Sequence, residues 1–245
     1  MSAPESPPAG GAIQIGILTE GKPTLAMVLV SLVLQEDRPV DIHIVDTADD
    51  AVIKRDDVVF AMRLAFDRGI HCGYEHIRER NRAFSVGRLR LLEEMSGPLI
   101  AFMDDDIVLA PSALATLHAW TRDRDVFGFA SPICRNWGDA RGAGKARRYY
   151  SPGGLIYQDA TVRRLLTDYY TNNSDVLDAR ASGERLWEKA FLSELFPALS
   201  RECEILEEAV SYHLDYRERP LRWGLDEGVI EASEAKARAL AATAT

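Results

Sequence analysis

The sequence predicts an α/β protein with a mostly parallel central sheet and helices on both faces. Short apolar segments with the length of strands alternate with longer segments of helical periodicity, and this order implies parallel strands joined by crossover helices. Segment 98–103 is apolar at every position, which is typical of a strand buried on both faces. Hydrophobic residues make up 47% of the 245 residues and charged residues 27%, a composition typical of globular proteins.

The elements of the first half follow one another in a regular order. In the first helix, apolar residues recur every three or four positions from Leu25 to Val33, as in a helix that packs on a sheet. Gly97 and Pro98 end the third helix, because neither supports a helical interior. The strands are expected at 13–18, 40–45, 69–72 and 98–103, and the helices at 24–35, 56–67, 75–95 and 111–122.

The pattern becomes less regular after about residue 130. Segment 138–148 is rich in Arg, Lys and Gly and predicts a long loop, which could be a lid over a ligand or a plain linker. The remaining elements are expected as a strand at 153–157, a helix at 186–195, a strand at 205–213 and a peripheral helix at 227–244.

The chain is expected to form one domain over residues 13–225, with halves at 13–130 and 131–225. Residues 1–12 are rich in Pro, Ser, Ala and Gly and lack the basic region of a secretion signal, so they predict a disordered tail. Residues 226–245 are expected to add a peripheral helix and tail. No apolar stretch reaches the roughly 20 residues of a membrane span.

Charge and cysteine content narrow the choice of partners. The net charge of −9 and the pI of about 5.1 disfavour non-specific binding to nucleic acid. An anionic ligand would therefore need a local cation or a metal. Cys72, Cys134 and Cys203 are far apart and form no metal-binding spacing, which predicts reduced thiols in a cytoplasmic protein.

Three consecutive aspartates, Asp104, Asp105 and Asp106, follow the apolar segment 98–103. Ligands of open α/β sheets gather beyond the carboxyl ends of the strands, and carboxylates there suit a hard cation such as Mg²⁺ or Mn²⁺. Alternate residues of a strand point to the same side, so Asp104 and Asp106 would reach one cation while Asp105 holds a backbone amide or an arginine. The alternative is an Asp-rich turn that caps the next helix.

Several motifs resemble, in the correct order, those of the family-2 glycosyltransferases with the GT-A fold, a Rossmann-like α/β architecture. The likeness covers roughly residues 13–215. The motifs are Ile15-Gly-Ile-Leu-Thr-Glu20 with its following helix, Ile42-His-Ile-Val-Asp46, Asp104-Asp105-Asp106, Gly153-Gly154, Gly183-Glu184 and Ser211-Tyr212-His213.

The resemblance implies a metal-dependent enzyme that transfers a sugar from a nucleotide-diphosphate sugar to an acceptor, with inversion at the anomeric carbon. Because the sequence contains no membrane span, a soluble small-molecule or peptide acceptor is expected rather than a lipid. It implies Mn²⁺ or Mg²⁺ as cofactor, donor and metal bound by the half at 13–130, and the acceptor by the half at 131–225. The implied metal ligands are Asp104, Asp106 and His213, and the implied general base is Glu184, with Glu207 and Glu208 as competing candidates. The implied donor contacts are Thr19, Glu20, Asp46, Arg88, Asp104 and Asp105.

Each of these residues also has a purely structural interpretation. Asp46 could cap a turn, and Glu184 could stabilise the first turn of a helix through the helix dipole. Arg88 could form a salt bridge with Glu93 or Glu94, or act as a partner for Asp104. His213 could be an ordinary packed histidine.

Three other functions are alternatives. A nucleotidyltransferase that forms a nucleotide sugar would share the nucleotide-binding sheet and the acidic metal site, and it would release pyrophosphate from a nucleoside triphosphate. A phosphatase with an aspartate nucleophile would share the Asp-x-Asp spacing. A non-catalytic GT-A domain would bind a nucleotide without donor hydrolysis or transfer.

Overall fold

The computed structural model describes residues 13–36, 40–78, 83–122, 124, 127–136, 149–177, 186–214 and 227–244. The strands are β1 (Ile13–Thr19), β2 (Val40–Asp46), β3 (Cys72–His76), β4 (Leu99–Asp104), β5 (Ile107–Leu109), β6 (Phe127–Asn136), β7 (Leu155–Tyr157) and β8 (Glu202–His213). The helices are α1 (Leu25–Val33), α2 (Asp56–Asp67), α3 (Ala83–Glu94), α4 (Ala113–Arg122), α5 (Ala160–Asn172), α6 (Ser174–Leu177), α7 (Glu188–Ala198) and α8 (Glu227–Ala241). A 3₁₀ turn, Val52–Lys54, precedes α2.

The strands form one eight-stranded sheet in the order β3-β2-β1-β4-β7-β6-β8-β5. The first four strands are parallel, β7 runs antiparallel to β4 and β6, β8 is parallel to β6, and β5 pairs antiparallel with β8. Thr19 pairs with Asp46 and Leu18 with Asp104, so β1, β2 and β4 end at the same edge of the sheet. The mostly parallel α/β fold expected from the sequence is confirmed.

Alternating side chains of β4 supply two hydrophobic cores, one on each face of the sheet. Ala101 and Met103 belong to a core that includes residues of α1, α2 and α4. Ile100 and Phe102 belong to a second core built mainly with α3, α5 and α7. Because β4 is buried on both faces, it is apolar until its last residue, and the acidic triplet begins where the strand reaches the sheet edge.

The third strand and the third helix differ from the prediction. The sequence predicts a strand at 69–72 and a helix from residue 75, whereas residues 72–76 form β3 and α3 begins at Ala83. Strand β3 pairs in parallel with β2 from Ile42 to Asp46. This ladder satisfies the backbone groups of the segment, so tertiary pairing overrides the local helical periodicity.

Strands β5 and β6 and helices α5 and α6 have no counterpart in the prediction. Strand β5 is too short to show a period, and β6 contains Pro132, a residue that argues against an interior strand. Helix α5 has a usable signal at its start, where the Asp159 carboxylate caps it by accepting a hydrogen bond from the Val162 amide at 2.9 Å.

Other expectations match the structure or fall outside it. Helix α2 has the predicted limits, and β1, β2 and β4 lie within one residue of theirs. The expected tail at 1–12 and the expected lid or linker at 138–148 lie outside the described residues. Among the helices that the structure describes, none has the length and apolar character needed to cross a membrane.

Gly128 allows β6 to contact α7 at close range. A Cβ atom at this position would lie 2.3 Å from Phe196 Cβ and 2.8 Å from Cys203 Sγ, inside the separation that non-bonded carbon atoms tolerate. The Phe196 Cβ is fixed to the helix backbone and cannot rotate away. A larger residue at Gly128 would therefore have to move α7 or bend β6.

We expect Gly128→Ala to lower the free energy of unfolding by about 1–3 kcal/mol, because the added methyl group overpacks the interface between β6 and α7. Urea unfolding followed by circular dichroism measures this change. Gly73→Ala on β3 is the matched control, since its nearest neighbour would be His43 Nδ1 at 3.1 Å, on a ring that can shift. Equal stability of Gly128→Ala and the wild type would contradict the close packing.

Candidate active site at the carboxyl edge of the sheet

The pairing of β5 with β8 brings His213 to the acidic triplet. Ile107 pairs with His213 in this antiparallel ladder, and the Leu214 amide donates a 2.7 Å hydrogen bond to the Asp106 carbonyl. His213 Nε2 consequently lies 3.5 Å from Asp106 Oδ2. The Asp106 side chain is buried, whereas that of His213 is partly exposed.

Asp105 fastens the loop between β1 and α1 to the end of β4. The Thr19 hydroxyl donates a 2.7 Å hydrogen bond to Asp105 Oδ2, and the Glu20 amide donates to the same oxygen at 3.3 Å. The Thr24 hydroxyl donates to the Asp105 carbonyl at 2.8 Å. Burial raises the pKa of the Asp105 carboxyl, against the hydrogen bond from Thr19 and the charge of Lys22, which lower it.

Lys22 lies between two buried carboxylates. Its ammonium forms an ion pair with Asp106 Oδ2 and lies 3.5 Å from Asp105 Oδ1. The lysine side chain is 40% exposed, whereas the two carboxylates are 7% and 4% exposed. One amine that reaches the solvent therefore neutralises charge on two acids that do not.

Asp104 is held by cations of two helices. Its Oδ2 accepts a hydrogen bond from Lys189 Nζ at 3.3 Å, and its Oδ1 lies 3.6 Å from Arg88 Nη2. Burial alone would raise the pKa of the Asp104 carboxyl, but the charges of Lys189 and Arg88 outweigh it and hold this pKa below its usual value. Asp104 therefore stays ionised at neutral pH.

A buried ion pair between Arg88 and Glu188 supports this arrangement from behind. Arg88 Nε and Nη2 donate to the two Glu188 oxygens at 2.8 and 2.9 Å, and the Tyr170 hydroxyl donates to Glu188 Oε1 at 2.6 Å. The guanidinium carbon lies 4.8 Å from the centre of the Phe102 ring and 5.1 Å from that of Phe84. The bidentate pair joins α3 to α7 and fixes the face that Arg88 presents to Asp104.

These groups form two sets of ion pairs that meet at the consecutive aspartates Asp104 and Asp105, and together they are here named the edge cluster. It consists of Asp104, Asp105, Asp106, Glu188, Lys22, Arg88, Lys189 and His213. Three basic side chains face four carboxylates, so the cluster is nearly neutral without any other ion. The loop at Thr19 and Glu20 closes it on the side of β1.

The aspartates and the histidine of the edge cluster are possible ligands of a divalent cation. Ligands about 2.1 Å from an octahedral cation lie about 3 Å from each other, so a small side-chain movement brings Asp106 Oδ2 and His213 Nε2, now 3.5 Å apart, to a shared ion. Asp104 instead faces Lys189. Within the described ranges, no three His, Cys, Asp or Glu side chains are grouped closely enough to hold a metal as they stand. Asp106 and His213 fit a cation, and the full set of three stays a prediction.

Asp46 lies apart from the edge cluster. Its side chain is 0% exposed, and its carboxylate accepts hydrogen bonds from the Ala48 amide at 2.9 Å, the Val52 amide at 2.7 Å and the Tyr74 hydroxyl at 2.7 Å. These three donors make Asp46 the anchor of the loop that follows β2. Its proposed contact with a ligand stays a prediction.

The anchored loop forms one wall of a cleft of about 660 Å³ beside the cluster. The other wall is the turn after β1, which includes Glu20 and Gly21. Arg55 ties the two walls together, since its guanidinium donates to the carbonyl oxygens of Gly21 at 3.3 Å, Lys22 at 2.7 Å and Pro23 at 3.0 Å. The cleft is lined by Glu20, Gly21, Ala48, Asp49, Asp50, Ala51, Val52, Lys54 and Arg55.

The remaining predicted residues are the candidate bases, and three further residues of the site were not predicted. Glu184 lies outside the described residues, and Glu207 and Glu208 are exposed on β8. Glu188 and Lys189 were missed, although two adjacent charges at the start of a mostly apolar helix were a usable signal. Arg55 gave no sequence signal for its place beside the cleft, because its partners there are backbone carbonyls.

Comparison with solved structures shows that this chain shares the GT-A fold of glycosyltransferases. The mannosyltransferase PcManGT from Pyrobaculum calidifontis, in complex with GDP-Man and Mn²⁺, superposes with a TM-score of 0.63 at 14% identity, over 98% of this chain and 75% of that one. S. aureus TarS 1–349 in complex with UDP-GlcNAc gives 0.59 at 12% identity, over 95% and 71%.

A more distant match covers less of its counterpart. GalNAc-T7 with UDP, GalNAc and Mn²⁺ gives a TM-score of 0.54 at 12% identity, over 84% of this chain and 44% of that chain. No family model matches the sequence, and no curated protein matches it at a significant level. Because the identities are this low, the comparisons establish the fold, and the chemistry has to be argued from the residues of this chain.

We expect Arg88→Met to lower the free energy of unfolding by about 3–5 kcal/mol, because it leaves the Glu188 carboxylate buried without its partner. The double variant Arg88→Met/Glu188→Gln should be more stable than Arg88→Met alone, since the uncompensated charge is gone. Urea unfolding of both variants measures the difference. Arg90→Met, on the exposed face of the same helix, should change stability little. A double variant less stable than Arg88→Met would contradict this account.

Proposed function

We propose that this protein is a glycosyltransferase that takes a sugar from a nucleotide-diphosphate sugar and transfers it to an acceptor hydroxyl. The observation that carries the proposal is the edge cluster, which brings aspartates, a histidine and basic side chains together where β1 and β4 end. Ligands of open α/β sheets bind at this edge. A departing diphosphate needs positive charge there, and the cluster combines basic groups with ligands for a cation.

The cleft between the two loops supports the proposal that the donor binds through its nucleotide. Its volume of about 660 Å³ falls within the usual range of small-molecule sites. Glu20 lines this cleft, and its amide also donates to Asp105 in the edge cluster. A nucleoside in the cleft would therefore place its diphosphate beside Lys22 and the aspartates. Thr19, Glu20 and Asp46 would serve chiefly by shaping the loops around it.

Asp106 and His213 would hold Mn²⁺ or Mg²⁺, with Asp104 as the further ligand that the resemblance implies. The cation would neutralise the charge that develops on the nucleoside diphosphate as it leaves. Mn²⁺ accompanies the nucleotides in two of the similar structures. Arg88 would act from behind by keeping Asp104 ionised and oriented, since its hydrogen bonds go to Glu188.

The attacking hydroxyl requires a general base within hydrogen-bond reach. We propose Glu184 for this role on the resemblance, with Glu207 and Glu208 as the competing residues. Direct attack from the face opposite the leaving group would invert the anomeric carbon. The acceptor would be a small molecule or a peptide bound by the half at 131–225.

A thermal-shift screen of UDP, GDP, dTDP and CDP, each with and without Mn²⁺, tests the donor proposal. We expect one diphosphate to raise the melting temperature, and to raise it further with Mn²⁺, because a ligand that binds only the folded state stabilises it. The matching nucleotide sugar should then release its nucleoside diphosphate on the enzyme. Release of pyrophosphate from a nucleoside triphosphate would indicate a nucleotidyltransferase instead, and the absence of any shift at millimolar concentrations would contradict the proposal.

We expect Asp106→Asn to reduce release of the nucleoside diphosphate at least about a hundredfold, because the amide can no longer balance a cation at the leaving group. Asp168→Asn, an exposed aspartate on α5 paired with Arg164, is the matched control and should retain wild-type turnover. Melting temperatures of both variants show whether they are folded. Wild-type turnover in a folded Asp106→Asn variant would contradict a role of the edge cluster in the reaction.

A further inference from the structure

Lys22 occupies the place that a divalent cation would share. Its ammonium contacts Asp106 Oδ2 and lies 3.5 Å from Asp105 Oδ1. The same Oδ2 atom lies 3.5 Å from His213 Nε2. A cation held by Asp106 and His213 would use this oxygen as well. The amine and the cation would then be like charges against one carboxylate, and they would repel each other strongly at that distance.

We propose that Lys22 is a built-in counter-ion that competes with the divalent cation for Asp106 and is displaced when the cation binds. The inference rests on the proposed function only in that it assumes a cation at Asp106 and His213. In the cation-free protein the ammonium neutralises Asp105 and Asp106. Once displaced, it stays on the turn beside the cleft, where the diphosphate of a donor is its natural partner.

The structure allows this movement for Lys22 and opposes it for Arg88. The backbone of Lys22 is fixed, because its carbonyl accepts hydrogen bonds from Arg55 Nη1 at 2.7 Å and from the Leu25 amide at 3.3 Å. Its long side chain is 40% exposed, so the ammonium can swing towards solvent about an anchored backbone. Arg88 is 2% exposed and bound in bidentate fashion to Glu188, which holds it in place.

The displacement would make cation and diphosphate support each other. The cation releases the ammonium from Asp106, and the diphosphate then accepts it. A diphosphate that holds the ammonium in turn lowers the cost of placing a cation at Asp106. The two affinities must rise by the same factor, because coupling between two binding events is reciprocal.

Binding of Mn²⁺ alone, without nucleotide or acceptor, tests the inference. Isothermal titration calorimetry or the free-Mn²⁺ electron paramagnetic resonance signal measures the affinity of the wild type and of Lys22→Met. We expect Lys22→Met to bind Mn²⁺ at least about tenfold more tightly, because the competing charge is gone. Without metal its melting temperature should fall, since two buried carboxylates lose their counter-ion, and Mn²⁺ should raise it more than it raises that of the wild type.

Two further variants act as controls. Arg90→Met removes an exposed basic side chain on α3, where it pairs with Glu93 away from the edge cluster and the cleft, and should leave the Mn²⁺ affinity unchanged. Lys22→Gln removes the charge but keeps a hydrogen-bond donor, so it serves if Lys22→Met does not fold, and it should also bind Mn²⁺ more tightly than the wild type.

Equal or weaker Mn²⁺ binding by the folded Lys22 variants overturns the inference, and so does a lack of Mn²⁺ binding in all of them. Neither result decides whether the protein transfers sugar, because release of nucleoside diphosphate from the nucleotide sugar is measured separately. Tighter binding in the Lys22 variants supports the inference even where the wild type binds Mn²⁺ too weakly to measure.

Discussion

The structure depends on neutralising carboxylates that are buried at the edge of the sheet. An ionised carboxylate taken out of water costs several kcal/mol unless a counter-charge or hydrogen bonds replace its hydration. In the edge cluster the counter-charges come from three different elements. Lys22 comes from the turn after β1, Arg88 from α3 and Lys189 from α7. Charge balance therefore joins both faces of the sheet at one point.

The first half of the fold could be predicted because its periodicity is set locally. Strands β1 and β2 and helices α1 and α2 follow from apolar spacing, and the short length of the apolar run in β4 distinguishes a buried strand from a buried helix. Strand β3 was displaced because its identity comes from pairing with β2. Strand β6 was missed because Pro132 contradicts its local pattern, and only its neighbours in the sheet define it.

The acidic side chains of the candidate site could be predicted from the sequence, and its basic side chains less well. The aspartates after β4 are adjacent in sequence, so their position at the end of an apolar strand was sufficient to identify them as candidate site residues. Lys189 and Glu188 come from a distant helix, and their partners become visible only in three dimensions. Asp46 lies at the end of β2, where the sequence placed it, but its carboxylate accepts hydrogen bonds from Ala48, Val52 and Tyr74, which the sequence alone did not show.

The position of β8 has a consequence for the order in which the protein is made. This late strand lies inside the sheet, between β6 and the short β5 that directly follows the aspartates. During synthesis the amino-terminal strands leave the ribosome first, and β5 has no partner until β8 has followed. A nascent chain can thus form the turn that holds Lys22 before His213 exists. The pair of Asp106 and His213 forms only when β8 has been made, so a chain that stops before β8 lacks this part of the edge cluster.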